Sequence, residues 1–489
     1  MTSLEKYFQP FRNDIIGINT HVTTPYGNYK MIYADWIASG RLYGSIENIM
    51  RDKLGPFIGN THTETTETGT RMTHSYKLAH KIIKNDVNAS DEDVIITAGF
   101  GMTALVNKFL RILGLKIPEQ FKGVIKLPKE ERPVVFITHM EHHSNQLSWN
   151  ETIADVVVLP PNKDMLADPE ILSKEIKKYS HRKTKIGAFT ACSNVTGIET
   201  PFYELAKIMH QNGGICCIDF AASAPYTTIN MHPPDPEKKL DAIYFSPHKF
   251  LGGPGSSGVL IFDSALYKLS VPDHPGGGTV EWTNPWGEAR YIKDIETRED
   301  GGTPGFLQAI RAALAVQLKN KMGLDNIKKR KSELLKIAFD GLEKIPGIQI
   351  LADNVRERQG IISFYFGDIH FSLIVKLLND RFGIQIRSGC VCAGTYGHFL
   401  LNITKERSKQ ITDKIDKGDL TEKPGWVRLS IHPTMKNDEL NFIIKAIREI
   451  VENHKEWKKD YIYKKETNEF THKAFGHKNL EEINYWFEM

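Results

Sequence analysis

The sequence predicts an α/β protein with a large domain on a mostly parallel sheet and a smaller C-terminal α+β domain. Three observations predict it. Seven short apolar runs occupy roughly the first 270 residues, and helical patterns separate them. After "EDGGTPGF" (299–306) the alternation gives way to a long helical stretch and a second, shorter set of runs. Strand–helix–strand alternation means parallel neighbours with helices on both faces of the sheet.

The strands read in order are "DVIITAG" (93–99), "PVVFITH" (133–139), "DVVVLP" (155–160), "KIGAFTA" (185–191), "GICCIDF" (214–220), "DAIYFS" (241–246) and "GVLIF" (258–262). Several are apolar at every position, as strands covered on both faces must be. Within "TPFYELAKIMHQNGG", Thr200 is expected to cap a helix, Pro201 to sit in its first turn and Gly213 to end it. Phe202, Leu205, Ala206 and Met209 form its apolar face. The stretch from "LQAIRAALAVQLKNKM" to "FDGLEKI" reads as one long helical segment, followed by "IQILAD", "GIISFYF", a helix through "HFSLIVKLLNDRF", and "IQIRSG". Polar residues 115–132 and 404–424 read as exposed insertions. The expected organisation is an N-terminal segment (1–20), a large domain (21–305), a small domain (306–455) and a C-terminal tail (456–489).

Composition narrows the function classes. A formal charge of +4 from 63 basic and 59 acidic residues, with no concentrated basic stripe, gives no reason to expect a nucleic-acid partner. No apolar run reaches the about 18 residues of a membrane span. The start, "MTSLEKYFQPFRND", carries acidic residues and no apolar core, so the expected location is the cytoplasm. Five cysteines in 489 residues do not make a disulfide framework. Cys216 and Cys217 lie in an apolar run and read as buried small hydrophobes. Cys390 and Cys392, in "RSGCVCAG", lie among glycine, serine and arginine and need another reason.

Ligands in a parallel α/β sheet collect at the carboxyl ends of the strands. After "VIIT" comes "AGFGMT", where glycines lead into a helix and backbone N–H groups can hold a phosphate. After "VVFIT" come His139, Glu141, His142 and His143; after "IGAFTA" comes "CSNVTG" with Asn194. Asp219 follows "ICCI", and Ser246, His248 and Lys249 follow "DAIYF". A phosphate cradle, an imidazole, a buried acid and a strand-end amine are the parts that bind pyridoxal 5′-phosphate. The amine bonds the cofactor, and the acid keeps its ring nitrogen protonated so that the ring accepts electrons. The imidazole stacks or moves protons.

In order and local sequence these motifs resemble the class V aminotransferases of fold type I, closest to the cysteine desulfurases and selenocysteine lyases, over roughly residues 30–450. The resemblance implies that Lys249 in "SPHK" carries the cofactor covalently. Ser246, His248 and the loop Gly99, Phe100, Gly101 to Thr103 would bind its phosphate, His142 in "MEHHSN" would stack on it, and Asp219 would meet its nitrogen. Asn194 in "SNVTG" would lie near the substrate, and Thr303 in "GGTPG" would reach the phosphate of a partner subunit, which implies a homodimer. "IRSGCVCAG" resembles the family's nucleophile loop, with Cys392 at the nucleophile position, Cys390 an additional thiol able to receive or reduce a persulfide, and Arg387 beside it. Arg428 in "GWVRLSIH" matches an arginine that pairs with the substrate carboxylate. The implied reaction removes sulfur, or selenium, from cysteine or selenocysteine, giving alanine and a persulfide on Cys392 for a protein acceptor.

The chain also departs from the pattern. Ala222 stands where the family commonly has glutamine, and Gly99 and Phe100 stand where hydroxyl residues are common. An aminotransferase, epimerase or β-lyase would need Lys249 and Asp219 but no thiol. "AGFGMTA" also fits a dinucleotide fingerprint, yet its expected acid, Glu119, sits in "KIPEQF" and not at a strand end. A non-cofactor reading, metal binding or redox interaction through His139, His142, His143, Cys390 and Cys392, meets a C-x-C spacing unlike that of zinc modules. No metal is expected.

Overall fold

Each apolar run of the first half becomes a strand of one seven-stranded sheet. The structure is a computed structural model that describes residues 2–475 and 481–488. The strands are β1 (Asp93–Ala98), β2 (Val134–Thr138), β3 (Asp155–Leu159), β4 (Lys185–Thr190), β5 (Ile215–Asp219), β6 (Ala242–Phe245) and β7 (Gly258–Asp263). Their spatial order is β1-β7-β6-β5-β4-β2-β3, and only β7 runs antiparallel to its neighbours. Alternate residues feed two apolar layers. Phe136, Phe189, Ile218 and Ile243 face one side, and Val135, Ala188, Cys217 and Tyr244 the other. Each large apolar side chain so buried contributes about 1.5–3 kcal/mol. Covering both faces is what makes the central strands largely apolar.

Helices α1 (Met102–Ile112) and α2 (His143–Asn150) leave the carboxyl ends of β1 and β2. Helix α3 (Phe202–Gln211) buries Leu205, Ala206 and Met209 as expected, but Thr200 does not cap it. The Thr200 hydroxyl donates instead to the Thr190 carbonyl at 2.5 Å, and Pro201 takes the N-cap position. The long helical stretch is two helices, α4 (Phe306–Met322) and α5 (Leu324–Leu342). Gly323 breaks it with φ 75°, a left-handed conformation that ends a helix.

The chain divides into two compact units: Ala38–Ser193 with Ile198–Asp325, and Met1–Ile37 with Asn194–Gly197 and Asn326–Met489. Residues 21–37, read with the large domain from sequence, thus belong with the smaller unit. Backbone pairing explains this: Ile32 and Tyr33 pair in parallel with Ile384 and Gln385, and Asp35 bridges Ser430. The smaller unit holds an antiparallel sheet of β8 (Ile348–Ile350), β9 (Ile361–Phe366), β10 (Arg387–Gly389) and β11 (Trp426–Ser430), in the order β8-β9-β11-β10. Helix α6 (Phe371–Phe382) packs on it, and helix α8 (Asn437–Trp457) packs against α6. The 404–424 insertion contains helix α7 (Lys405–Ile415), which buries only Ile411. The tail folds back on this unit as a hairpin, Tyr461–Lys464 with Glu469–His472. There Tyr461 Oη donates to Asp380 Oδ2 at 3.0 Å, and Leu420 N–H donates to Lys465 O at 2.9 Å. Tail residues 476–480 and 489, and Met1, lie outside the described residues. No described helix is long and apolar enough to cross a membrane.

Candidate active site

The larger unit gathers its chemistry where parallel strands end. Register places Thr190, Asp219 and Tyr244 side by side at the carboxyl ends of β4, β5 and β6. After β6, Ser246 enters a single 3₁₀ turn, Pro247–Lys249, whose Lys249 N–H bonds the Ser246 carbonyl at 3.0 Å. That turn projects Lys249, half-buried, from a buried strand. Ser246 Oγ accepts the first N–H of α1, from Met102, at 2.9 Å. His248 Nδ1–H donates to the Phe100 carbonyl at 3.0 Å, which leaves Nε2 as the acceptor. Gly101 lets these groups converge. Its backbone, φ 156° and ψ −174°, lies in a region essentially confined to glycine. A Cβ there would meet His248 Cε1 at 2.9 Å and Ser246 Oγ at 3.0 Å. Phe100, by contrast, is 91% exposed. His142 caps α2, its Nδ1 accepting the Ser144 N–H at 3.1 Å, so the ring proton sits on Nε2. Thr303 lies exposed in the loop before α4.

Asp219 is the electrostatic centre of this unit. It is 3% exposed and accepts one hydrogen bond, from Ala221 N–H at 2.8 Å. Burial pushes its carboxyl up to about 6, against the pull of that bond and of the Lys249 charge. Behind it Glu141, fully buried, accepts from Thr138 Oγ, Asn145 Nδ2 and Thr190 N–H at 2.6, 2.7 and 3.0 Å. Burial, with a further push from the Asp219 charge, raises Glu141 to about 7. Because Asp219 binds its proton more tightly folded than unfolded, stability falls as pH rises from its ordinary 3.8 through about 6. Asp219→Asn should therefore stabilise the cofactor-free protein at pH 8 by about 3 kcal/mol. Urea unfolding at pH 8 and pH 4 checks this, and the gain should shrink to about 0.5 kcal/mol at the lower pH. A carboxylate that costs the fold this much is what a site for a cationic ligand requires.

The smaller unit presents a different constellation. Strand β10 ends at Gly389 and turns through Cys390–Ala393, closed by Ala393 N–H to Cys390 O at 3.1 Å. Val391 and Cys392 have φ 42° and 58°, as in a type I′ turn, but without the Asn-Gly residues such turns favour. A β-branched residue at positive φ is strained. Asn194 Nδ2 holds the turn by donating to Val391 O at 2.7 Å, while its Oδ1 is buried without a partner. Cys392 is exposed and Cys390 partly buried. Arg428, 3% exposed, donates to Asn194 O at 3.2 Å and to Asp35 Oδ1 at 2.9 Å, while Arg387 Nε donates to Asp35 Oδ2 at 2.9 Å. Burial lowers Arg428 from its ordinary value, and Asp35 and, less, Cys392 counteract this, so Cys392 lies within electrostatic range of Arg428. Arg428 Nε is buried with no acceptor, an open position for an anion.

From sequence, Glu141 is placed at a strand end without a role, and Asp35 is not named. "YADWIASG" offers an acid in an otherwise apolar segment, the one local signal that could have pointed to Asp35. His139 is neutral, burial lowering it to about 4. Among the described residues no group of three or more His, Cys, Asp or Glu could hold a metal. Cys192, Cys216 and Cys217 are buried.

This assembly of strand order, strand-end lysine and buried acid belongs to a known class. The class-V aminotransferase model matches residues 32–442, and the chain belongs to that family, whose members are pyridoxal phosphate-dependent enzymes. Its relatives include a probable cysteine desulfurase of Halalkalibacterium halodurans, 29% identical over 368 residues, 74% of this chain and 84% of the relative. A probable cysteine desulfurase of Staphylococcus aureus is 29% identical over 369 residues, 74% and 83% of the two chains. The solved apo cysteine desulfurase of Thermococcus onnurineus NA1 shares the fold with TM-score 0.70 at 23% identity, covering 86% of this chain and 95% of its own. The Escherichia coli cysteine desulfurase CsdA, solved as an S-sulfonic acid, does so with TM-score 0.70 at 22% identity, covering 91% and 98%.

The residues fit pyridoxal phosphate. Asp219 is a buried acid with a single hydrogen bond, beside the Lys249 charge. Gly101 keeps open a space that a Cβ would fill, between Ser246, His248 and the start of α1.

Proposed function

We infer that the chain is a pyridoxal phosphate-dependent cysteine desulfurase, taking sulfur from L-cysteine, or selenium from selenocysteine, and releasing alanine. The observation that carries the reading is Cys392, an exposed thiol on a strained turn within reach of the Arg428 charge. The names of the relatives support it.

When bound, the cofactor supplies a sink for the negative charge that develops at the substrate α-carbon. Lys249 would hold it covalently and then move the α-proton, with His142 stacked against the ring. Asp219 would keep a proton on the ring nitrogen through a charge-assisted hydrogen bond. Ser246, His248, Gly99, Phe100, Gly101 and Thr103 would hold the phosphate at the N-terminus of α1. The substrate carboxylate would bind at Arg428, sharing it with Asp35, with Arg387 and Asn194 alongside. The Cys392 thiolate attacks the substrate sulfur. An S–S bond forms, the Cβ–S bond breaks with its electron pair left on carbon, and protonation gives alanine. Thus one thiol and one cysteine become one persulfide and one alanine.

A homodimer is part of the same reading, supported by the exposure of Thr303 and of Trp286 on the hairpin Val280–Thr283 with Ala289–Tyr291. A protein sulfur acceptor fits the exposed Cys392. A cytoplasmic setting suits five free cysteines.

Equal amounts of alanine and of sulfur, counted as protein persulfide plus sulfide, should form from L-cysteine. Alanine formation that survives Cys390→Ala and Cys392→Ala, singly and together, would show that the reaction needs no thiol. Gly101→Ala should weaken retention of the cofactor about tenfold, since a Cβ there would crowd His248 and Ser246 where the phosphate would sit, and such overpacking costs about 1–3 kcal/mol. Titration of cofactor absorbance checks this. Gly123→Ala is the control, because a Cβ there meets nothing within 4 Å.

A further inference from the structure

The turn that carries Cys392 carries a second thiol whose position the reaction above does not use. Cys390 and Cys392 are the first and third residues of one closed turn. Two peptide units folded in this way bring their Cα atoms to roughly 5–6 Å, inside the range that a disulfide spans. The left-handed pair Val391–Cys392 and the Asn194 bond to Val391 O hold that spacing in place. Exposure orders the two sulfurs. Cys392 faces solvent, where substrate and acceptors arrive, and Cys390 is partly covered. A relay from Cys392 to Cys390 would carry sulfur away from solvent, the wrong direction for delivery. Attack by Cys390 on Cys392 Sγ itself, which expels the outer sulfur, has no such defect.

Resting on the desulfurase reading, we propose that Cys390 is a resolving thiol that releases the sulfur of the Cys392 persulfide as hydrosulfide and closes a Cys390–Cys392 disulfide. The Cys390 thiolate attacks Cys392 Sγ. The new Cys390–Cys392 S–S bond forms, the bond to the outer sulfur breaks, and that sulfur leaves with the electron pair as HS⁻. The two protein thiols are oxidised by two electrons and the outer sulfur is reduced by two. Reopening the disulfide takes two equivalents of a low-molecular-weight thiol, or one dithiol, which leave as their own disulfide. The enzyme then yields sulfide in a reducing medium and arrests as the disulfide in an oxidising one.

The test is a single turnover of the cofactor-loaded chain with one equivalent of L-cysteine and no other thiol, quenched with an alkylating agent under denaturing conditions. Alanine, sulfide and peptide masses are read together. The wild type should give one sulfide per alanine and a Cys390–Cys392 peptide lighter by two hydrogens than the dithiol. Cys390→Ser should give a Cys392 peptide heavier by one sulfur atom and at least tenfold less sulfide per alanine. A wild type that retains the Cys392 persulfide like the variant, or carries it on Cys390, overturns the proposal and leaves the desulfurase reading standing. Absence of alanine from both chains overturns the two together. A readout independent of turnover is titration of the cofactor-free chain with glutathione disulfide. An internal Cys390–Cys392 disulfide should dominate in the wild type. Glutathione on both cysteines in place of an internal bond contradicts the proposal.

Discussion

Lys249→Ala is expected to lower alanine release from L-cysteine by about 10²–10⁴-fold, the range associated with losing a positioned proton-transfer group. The covalent role proposed for it would be lost with the same change. The fold should survive, because the 3₁₀ turn is closed by the Lys249 backbone N–H, which the variant keeps. Lys249→Arg should not rescue the activity. A guanidinium stays protonated at any working pH and cannot act as the amine that bonds a carbonyl cofactor. Initial rates of alanine formation, with circular dichroism to confirm folding, separate loss of chemistry from loss of structure.

Cys392→Ser is expected to lower alanine release at least about a hundredfold while the cofactor stays bound on Lys249. A serine hydroxyl is a far weaker nucleophile than a thiolate towards sulfur. The side chain is exposed, so stability should change by no more than about 0.5 kcal/mol. Unchanged alanine release from this variant would place the chain with the thiol-free reactions of its family. Visible absorbance of the bound cofactor, read beside the alanine rate, distinguishes a lost nucleophile from a lost site.

The sheet was legible because strands buried on both faces are largely apolar, as "PVVFITH" and "KIGAFTA" are. The strand ends followed from topology alone, which is how Asp219 and Lys249 could be placed at one edge before any coordinates. Features decided by distant partners were not legible. Asp35 meets Arg387 and Arg428 across 352 and 393 residues of sequence, and no local pattern signals that. Thr200 had every local mark of a cap, but the Thr190 carbonyl took its hydroxyl. Gly323 inside a helical pattern is ordinarily tolerated, and only its positive φ shows that the helix ends there. The cysteine turn uses valine where turns of this shape prefer asparagine, so its geometry was hidden as well.

Borohydride reduction of the cofactor-loaded protein, which makes a lysine–cofactor linkage permanent, followed by peptide mapping, tests the central claim most directly. The cofactor mass should appear on the peptide containing Lys249 and vanish in Lys249→Ala. A reduced cofactor on another lysine, or none on any, would contradict the account.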